Sequence, residues 1–512
     1  MLVKIFSGAV QGVDAQPIEI EVDVTGAFGF SIVGLPDSAV KESKDRVNTA
    51  IRNSDLAFPL GKITINLAPA DVRKEGSGFD LPIALGILAA SSQIDETVLG
   101  QYLFSGELSL DGKLKSIKGA LPLAILAKKK NFRGILLPES NAGEAAIVAG
   151  LDVIPITELK DAVNFLNGEK MIEPVIKNAR DIFSEEAGTF EFDFEEVKGQ
   201  ENLKRAMEVA AAGGHNVIMI GPPGAGKTML ARRLPGILPP LSLHEALETT
   251  KIHSVSGRLG KHTSLISQRP FRSPHHTISD VALVGGGTIP QPGEISMAHN
   301  GVLFLDELPE FKRTVLEVLR QPLEERNITV SRARISVNYP ANFMLIASMN
   351  PCPCGFYNHP EKSCICTAQQ VQKYLAKISG PLLDRIDIQV EVTPVKIEEL
   401  SGKSNGEKSI QIRDRVIEAR KFQQKRLADM PAMYCNAMMP SGLTRKICML
   451  DSAGEAILKV AMQKLGLSAR AFERILKVSR TIADLAACEK IQPEHVSEAV
   501  QYRSLDRSGW AG

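Results

Sequence analysis

The 512-residue chain carries almost no net charge, because 60 lysines and arginines stand against 59 aspartates and glutamates, a formal charge of +1. Binding to nucleic acid or membrane through bulk basicity is thereby excluded, and any contact with phosphate has to come from local clusters. Long hydrophobic runs are missing as well. The longest, Leu81–Ala90, falls well short of the roughly 20 apolar residues that span a bilayer, so no membrane partner is expected. The first residues, Met1-Leu-Val-Lys-Ile-Phe-Ser7, show no basic segment leading into an apolar one, and no secretory leader is expected. Cysteine is scarce and odd in number, at seven. Four of the seven crowd into Cys352–Cys366, which argues against a disulfide framework and for a metal loop in a reducing, cytoplasmic setting. No tandem repeat is found at a period of about 20–50 residues. What remains is an ordinary apolar fraction, 44%, over a length that suits two to four domains.

The pattern along the chain divides it into four parts. Residues 1–167 mix strands and helices: Ile18–Val24, Ile63–Leu67, Tyr102–Leu110 and Ile135–Pro138 read as strands, Asp37–Asn53 and Phe79–Ala90 as helices. Residues 168–191 form a polar linker without strong periodicity. Residues 192–395 alternate strand and helix, as a nucleotide-binding α/β sheet does. From 396 to 512 the pattern is helical, over 409–428, 452–465, 468–488 and 493–503, after a flexible loop at Ser401–Lys408.

Within the third part, Gly221, Pro222, Pro223, Gly224, Ala225 and Gly226 precede Lys227 and Thr228, which fits GxxxxGK[ST] at every fixed position. The glycines let successive backbone N–H groups face a β-phosphate, Lys227 can reach the β/γ oxygens, and the Thr228 hydroxyl can ligate Mg²⁺. An apolar strand, Val217–Ile220, comes before, and a helix opening through Met229 follows. That context disfavours a chance glycine turn, and ATP or GTP is the expected ligand. About eighty residues on, Gly301-Val-Leu-Phe-Leu-Asp306-Glu307 is an apolar strand ending in two carboxylates. Asp306 can hold Mg²⁺ and Glu307 can polarise water for in-line phosphoryl transfer; a buried strand with an acidic cap is the alternative. A third strand, Phe343–Ser348, leads to Asn350, whose amide can bond the γ-phosphate or the lytic water. Arg385, in Gly380-Pro-Leu-Leu-Asp-Arg385-Ile-Asp387, is the candidate arginine finger, against a salt bridge to Asp384 or Asp387. Arg470, in Leu467-Ser-Ala-Arg470, can touch the nucleotide from a lid helix, or be a plain surface charge.

These residues, with Val33-Gly-Leu-Pro-Asp37, Asn66–Glu75, Arg272-Ser-Pro-His-His276, Pro292–Ser296 and Phe304–Phe311, resemble the ComM/YifB family of magnesium-chelatase-like AAA+ ATPases, essentially end to end. The resemblance implies an α/β protein of three parts: an N-terminal Lon-protease-like (ribosomal S5 domain 2-like) domain, a central AAA+ P-loop domain and a C-terminal helical lid. It implies a ring, of six subunits, in which Arg385 completes a neighbour's site, and an ATP-driven motor acting on DNA, a branch-migration helicase of recombination or natural transformation. A chelatase motor driving Mg²⁺ into a porphyrin and an ATP-dependent assembly scaffold are the rivals. Proteolysis is disfavoured, since aligning Lys74–Asp80 on the Lon motif puts Gly78 where the nucleophilic serine belongs, with Ser77 one place off, and puts Leu121 at the lysine position.

Two insertions and one loop complete the candidates. Ile328–Val337 reads as a hairpin with Arg332 and Arg334 near its tip; by likeness to minichromosome-maintenance helicases it implies phosphate contacts with DNA, against mere solubilising charge. Ser254–Glu294 holds Arg258, Lys261, Arg269, Arg272, His275, His276 and Gly285–Gly287, a composition that suits a translocating pore loop, with the histidines read as structural. Cys352, Cys354, Cys364 and Cys366 space as C-x-C-x₉-C-x-C; a Zn²⁺ cage, free thiols and redox pairing all stay open. Cys435, Cys448 and Cys488 read as ordinary thiols.

Overall fold

The computed structural model describes residues 2–503 apart from 27, 187–189, 261–262, 288–289, 333–334, 360, 395–405 and 431–432; the side chains at 184–186, 332 and 335 also lie outside the described set. Seven strands build the N-terminal sheet: β1 (Leu2–Gln11), β2 (Asp14–Thr25), β3 (Gly29–Val33), β4 (Lys62–Ala68), β5 (Tyr102–Phe104), β6 (Gly134–Pro138) and β7 (Asp152–Ile156), in the spatial order β3-β4-β2-β1-β5-β6-β7. Strict alternation sends Ile63, Ile65 and Leu67 of β4 inward, the period-two signature of a strand covered on one face. Helix α1 (Ser38–Asn53) starts where Asp37 Oδ1 accepts the Val40 N–H at 2.8 Å, a cap worth about 1 kcal/mol. Helix α2 (Asp80–Ala90) is buried on every side. Its one charge, Asp80, takes two bonds from Arg46, at 2.8 and 3.0 Å.

Tyr102–Leu110 is not one strand. β5 ends at Phe104, Gly106 donates its N–H to Gly78 O at 2.9 Å, and Glu107–Leu108 pairs with Leu114–Lys115 instead. A Cβ at Gly106 would sit 2.9 Å from Leu114 Cδ2, so the break uses the space that a side chain would fill. The 168–191 stretch is also more ordered than its polarity suggests. It contains a helix, Ala179–Glu186, and the Val175 N–H bonds to Val153 O at 2.8 Å.

Five parallel strands form the second sheet: β8 (Val217–Ile220), β9 (Phe271–Arg272), β10 (Val302–Leu305), β13 (Met344–Met349) and β14 (Ile388–Glu391), ordered β9-β10-β13-β8-β14. A hairpin, β11 (Asn327–Arg332) and β12 (Ile335–Pro340), precedes β13. β8, β10 and β13 are buried throughout, as expected where helices cover both faces of a parallel sheet. The decisive feature is β13, which lies between the strand leading to Lys227 and the strand ending at Asp306. The helices needed below are α3 (Ala120–Lys129), α4 (Glu201–Gly213), α5 (Lys227–Ile237), α6 (Leu243–Ser256), α7 (Ala368–Leu375), α8 (Ser409–Arg426), α9 (Ser452–Leu465), α10 (Ala469–Leu485) and α11 (Pro493–Gln501). The last four share a core with the sheet, in which Val217, Met219 and Phe304 pack with Val416, Ile475 and Val478.

An apolar seam joins the two sheets. α3 packs on α6, with Leu121 and Ile147 meeting Leu241, Ala246 and Leu265, and Gly119 N–H bonds to Ser254 O at 3.1 Å. Leu121, at the place of a Lon-type lysine, is fully buried there; burial of such a side chain contributes about 2 kcal/mol, and a charge in its stead would be strongly unfavourable. Ser77 meanwhile donates to Glu107 rather than to a lysine. The hairpin root also rests on the N-terminal sheet: a Cβ at Gly12, in the β1–β2 turn, would come within 2.8 Å of Val337 Cγ1. Arg332 ends β11 opposite Ile335; its side chain, and Arg334 altogether, lie outside the described residues.

Candidate nucleotide site

The Gly221–Gly226 loop leaves the carboxyl end of β8 and runs into α5. Gly224 and Gly226 hold φ of 81° and 84°, a left-handed region that favours glycine. Gly221 is held for another reason, since a Cβ would sit 2.3 Å from Val392 O. Lys227 Nζ reaches back to Gly221 O at 2.6 Å and Pro222 O at 2.9 Å, and donates to Asn350 Oδ1 at 3.2 Å. Burial pushes its ammonium down to about 8, against the pull of Asp306 and Glu307. Thr228 Oγ1 donates to Asp306 Oδ2 at 2.8 Å. The tips of β8, β10 and β13 thus bring two bonded pairs side by side, Lys227 with Asn350 and Thr228 with Asp306. A hydroxyl and a carboxylate converging in this way match the hard oxygen donors that Mg²⁺ takes.

Two residues around these pairs escape a linear reading. Ser348 donates to the other oxygen of Asp306; its signal was its place two residues before Asn350, on the same face of β13. His276 Nδ1 lies 3.6 Å from Glu307 Oε2, and its ring packs at 4.1 Å on His275 and 6.4 Å on Phe311. Glu307 adopts φ 53°, ψ 51°, a left-handed backbone that a non-glycine residue holds at a cost of about 1–3 kcal/mol, often at functional positions.

Arg385 and Arg470 stand elsewhere. β14 runs parallel to β8, with Val217 opposite Ile388 and Ile220 opposite Glu391. The P-loop therefore leaves one end of the strands, and Arg385, just ahead of β14, lies at the other. Asn216, preceding β8, fixes it there by donating to Arg385 O at 3.1 Å. The Arg385 side chain is buried and pairs with Glu324 at 2.5 Å, not with Asp384 or Asp387, and its Nε has no partner among the described residues. Arg470 is not at the P-loop of its own chain: it lies 3.7 Å from Asp384, at the Arg385 end, because α10 packs along α4 and α8 and meets the sheet from that side. Both arginines flank a cleft of about 440 Å³ that Arg326, Arg474 and Lys477 also line.

The basic residues of Ser254–Glu294, expected as a pore loop, have partners within the chain. Arg258 and Arg272 both bind Glu294, at 2.5 and 2.6 Å, and Arg269 donates to the carbonyls of Pro239, Pro240 and Asn300. Arg269 is thus spent inside the fold, Arg258 and Arg272 are paired but remain exposed and half-buried, respectively, and Lys261 lies outside the described residues. Gly285–Gly286 pairs with Gln291–Pro292 in a small hairpin. The four loop cysteines, by contrast, do come together: Cys352 Sγ lies 3.3 Å from Cys354 Sγ and 3.7 Å from Cys364 Sγ, and all four sulfurs fall within 4.8 Å of one another. Cys435 and Cys448 are buried and Cys488 is partly so. Among the described residues no helix is long and apolar enough to cross a membrane.

Comparison with known proteins agrees with this arrangement. The family described as "Magnesium chelatase, subunit ChlI" matches residues 193–400, "Subunit ChlI of Mg-chelatase" matches 18–141, and "Magnesium chelatase, subunit ChlI C-terminal" matches 406–503. "Competence protein ComM" of Haemophilus influenzae is 45% identical over 509 residues, 99% of this chain and 98% of that one. The YifB protein of Salmonella typhimurium is 46% identical over 512 residues, covering 99% and 98%. "Lon protease 2" of Bacillus subtilis is 32% identical over 157 residues, 28% of this chain and 27% of that enzyme. With strand β13 inserted beside the P-loop strand and near-complete coverage by these relatives, the chain belongs to the ComM/YifB family of magnesium-chelatase-like AAA+ ATPases.

Proposed function

We propose that this protein is an ATP-hydrolysing ring motor that acts on DNA, a branch-migration helicase of recombination or DNA uptake. The observation that carries the reading is the separation of the two halves of the catalytic set. Lys227, Thr228, Asp306 and Asn350 gather at one end of the strands, while Arg385, paired with Glu324, and Arg470, beside Asp384, lie at the opposite end. Four residues of β14 lie between, roughly 13 Å of strand, so a complete site needs a second copy. A ring, six subunits by the family's habit, supplies one at every boundary.

The roles follow from the contacts. The Gly221–Gly226 backbone and Lys227 bind the phosphates of ATP, and α5 presents its N-terminus to them. Mg²⁺ would be held by Thr228 and Asp306, with Ser348 orienting the carboxylate; bound there, it neutralises charge on the phosphates. Glu307 leaves His276 to orient the attacking water, Asn350 reports the γ-phosphate to Lys227, and Met229 lies beside the nucleotide. Arg470, and Arg385 once it leaves Glu324, act on the neighbour's ATP from its open side. The Arg332–Arg334 hairpin tip is read as the DNA contact, with the N-terminal domain as a non-proteolytic collar. The four loop thiols are read as a Zn²⁺ site.

A labelled four-way junction incubated with the protein, ATP and Mg²⁺ tests this. Resolution into duplex products is expected, along with turnover that rises with junction DNA and falls steeply with salt. Glu307→Gln should retain ATP binding and lose about 10²–10⁴ in turnover. A protein whose turnover ignores every DNA offered, and answers instead to a porphyrin-binding partner, would favour a chelatase-type motor, the reading that the family descriptions support.

A further inference from the structure

Resting on the nucleotide-site reading, we infer that Cys352, Cys354, Cys364 and Cys366 bind one Zn²⁺ that braces the 350–367 loop against the P-loop, so that turnover depends on a metal outside the catalytic group. The sulfur spacing is the first support. Zn–S bonds of about 2.3 Å in a tetrahedron put sulfurs about 3.8 Å apart, and the three shortest separations are 3.3, 3.6 and 3.7 Å. Backbone N–H groups of Phe356 and Ile365 point at Cys354 Sγ, and that of Cys366 lies 3.4 Å from Cys364 Sγ, the donor shell that thiolate ligands take. His359 is engaged otherwise: its Nδ1 accepts the N–H of Glu361 and of Lys362 at 3.0 Å. The donor set is four sulfurs, soft ligands suited to Zn²⁺ rather than Mg²⁺.

The second support is that the loop, in its described residues, lacks regular structure and is held by local contacts such as Phe356 with His359 and Lys362. Among its described residues no helix or strand is formed between Met349 and Ala368, Ile365 is 86% exposed, and only Cys352 of the four thiols is buried. Irregular segments of this length in a compact domain need a staple or a function. The third is where the loop lies. Asn350, which takes the Lys227 ammonium, is two residues ahead of Cys352. Gly355, at φ 83°, packs so close to the P-loop that a Cβ would meet Pro223 Cδ at 2.6 Å. At the far end Thr367 caps α7, whose Tyr374 receives the Asn350 N–H. A metal that fixes this loop fixes Asn350 from one side and Pro222-Pro223 from the other.

The test uses the full chain. Elemental analysis should find one zinc per chain, and Co²⁺ exchanged into the site should give the absorption of a tetrahedral thiolate complex. Stripping the metal with a thiol-directed mercurial, in Mg²⁺-replete buffer, should lower ATP turnover about 10–100-fold, the usual effect of removing a partner one shell out; Zn²⁺ should restore it. Gly355→Ala separates contact from metal, keeping the zinc but losing turnover. Normal turnover in protein without metal overturns the inference, as do sulfurs found paired as disulfides or full activity after stripping or in Gly355→Ala. Should zinc-loaded protein fail to bind ATP at all, the nucleotide reading itself falls and the coupling with it, while the zinc content stands as a separate result.

Discussion

The depressed ammonium of Lys227 makes a quantitative prediction about protons. Burial holds the group at about 8 in the nucleotide-free protein, below its ordinary 10.5. A bound triphosphate supplies the anions that favour the charged form, so binding should return the group to full protonation. With a free value of about 8, roughly nine-tenths of the molecules are charged at pH 7 and about one-quarter at pH 8.5, so ATP binding should take up about 0.1 proton at pH 7 and about 0.75 at pH 8.5. The sign follows from the same balance. The charged form binds, so affinity is nearly complete below about pH 7 and falls as pH rises, by about tenfold between pH 7 and 9. Calorimetric titration of Glu307→Gln protein in buffers of different ionisation enthalpy measures the uptake without hydrolysis. Lys227→Arg, which stays charged, should flatten the curve. Uptake that does not change between pH 7 and 8.5, or proton release, would refute the assignment of Lys227 to the phosphates.

Three further outcomes are expected. Arg385→Ala and Lys227→Ala should each abolish turnover, a finger being worth about 10³–10⁵ in rate, yet rings assembled from a mixture should recover part of it, because an intact P-loop then faces an intact finger; no recovery on mixing argues for a finger acting within its own chain. Restoring a Lon-type lysine with Leu121→Lys should yield no casein cleavage and should lower stability in thermal or denaturant unfolding by about 3 kcal/mol or more, since it charges an apolar seam. Asp387 is buried between His215 and Arg474; burial opposes its charge and also keeps His215 neutral, so Arg474 is the partner that holds the carboxyl far below its usual range. Such a depressed carboxylate stabilises at pH above about 3.9 and its contribution is lost as pH falls. Asp387→Asn should therefore cost about 3 kcal/mol at pH 7 and about 1 kcal/mol less at pH 3, and an equal cost at both values would contradict the pairing.

Much of the site was legible because phosphate chemistry restricts residue type and spacing together. Lys227, Thr228 and Asp306 lie where an apolar strand, a glycine turn and a carboxylate pair announce them. Ser348 and His276 were not legible as site residues, since each acts by crossing to another element, Ser348 to β10 and His276 to the loop after it. The same reason explains Arg470: its place on a lid helix was readable, whereas the side from which that helix meets the sheet depends on α4 and α8. In the insertion the partners were not legible, because arginine near glycine has one composition whether or not, like Arg258 and Arg272, it also pairs with a glutamate of its own chain. In the N-terminal domain the alternation of β4 was plain, but Gly106 broke a strand whose apolar run continued through it.

The contact between α3 and α6 bears on how this protein can be divided. Leu241, Ala246 and Leu265 belong to the ATPase half, yet they are covered by Leu121 and Ile147 from the other. A fragment beginning near residue 192 would leave that greasy strip wet, and self-association should follow before any enzymology is possible. The hairpin, seated on the turn at Gly12, ties the same two halves at a second point. Front and back are joined at two points, so a displacement of one should be felt at the other.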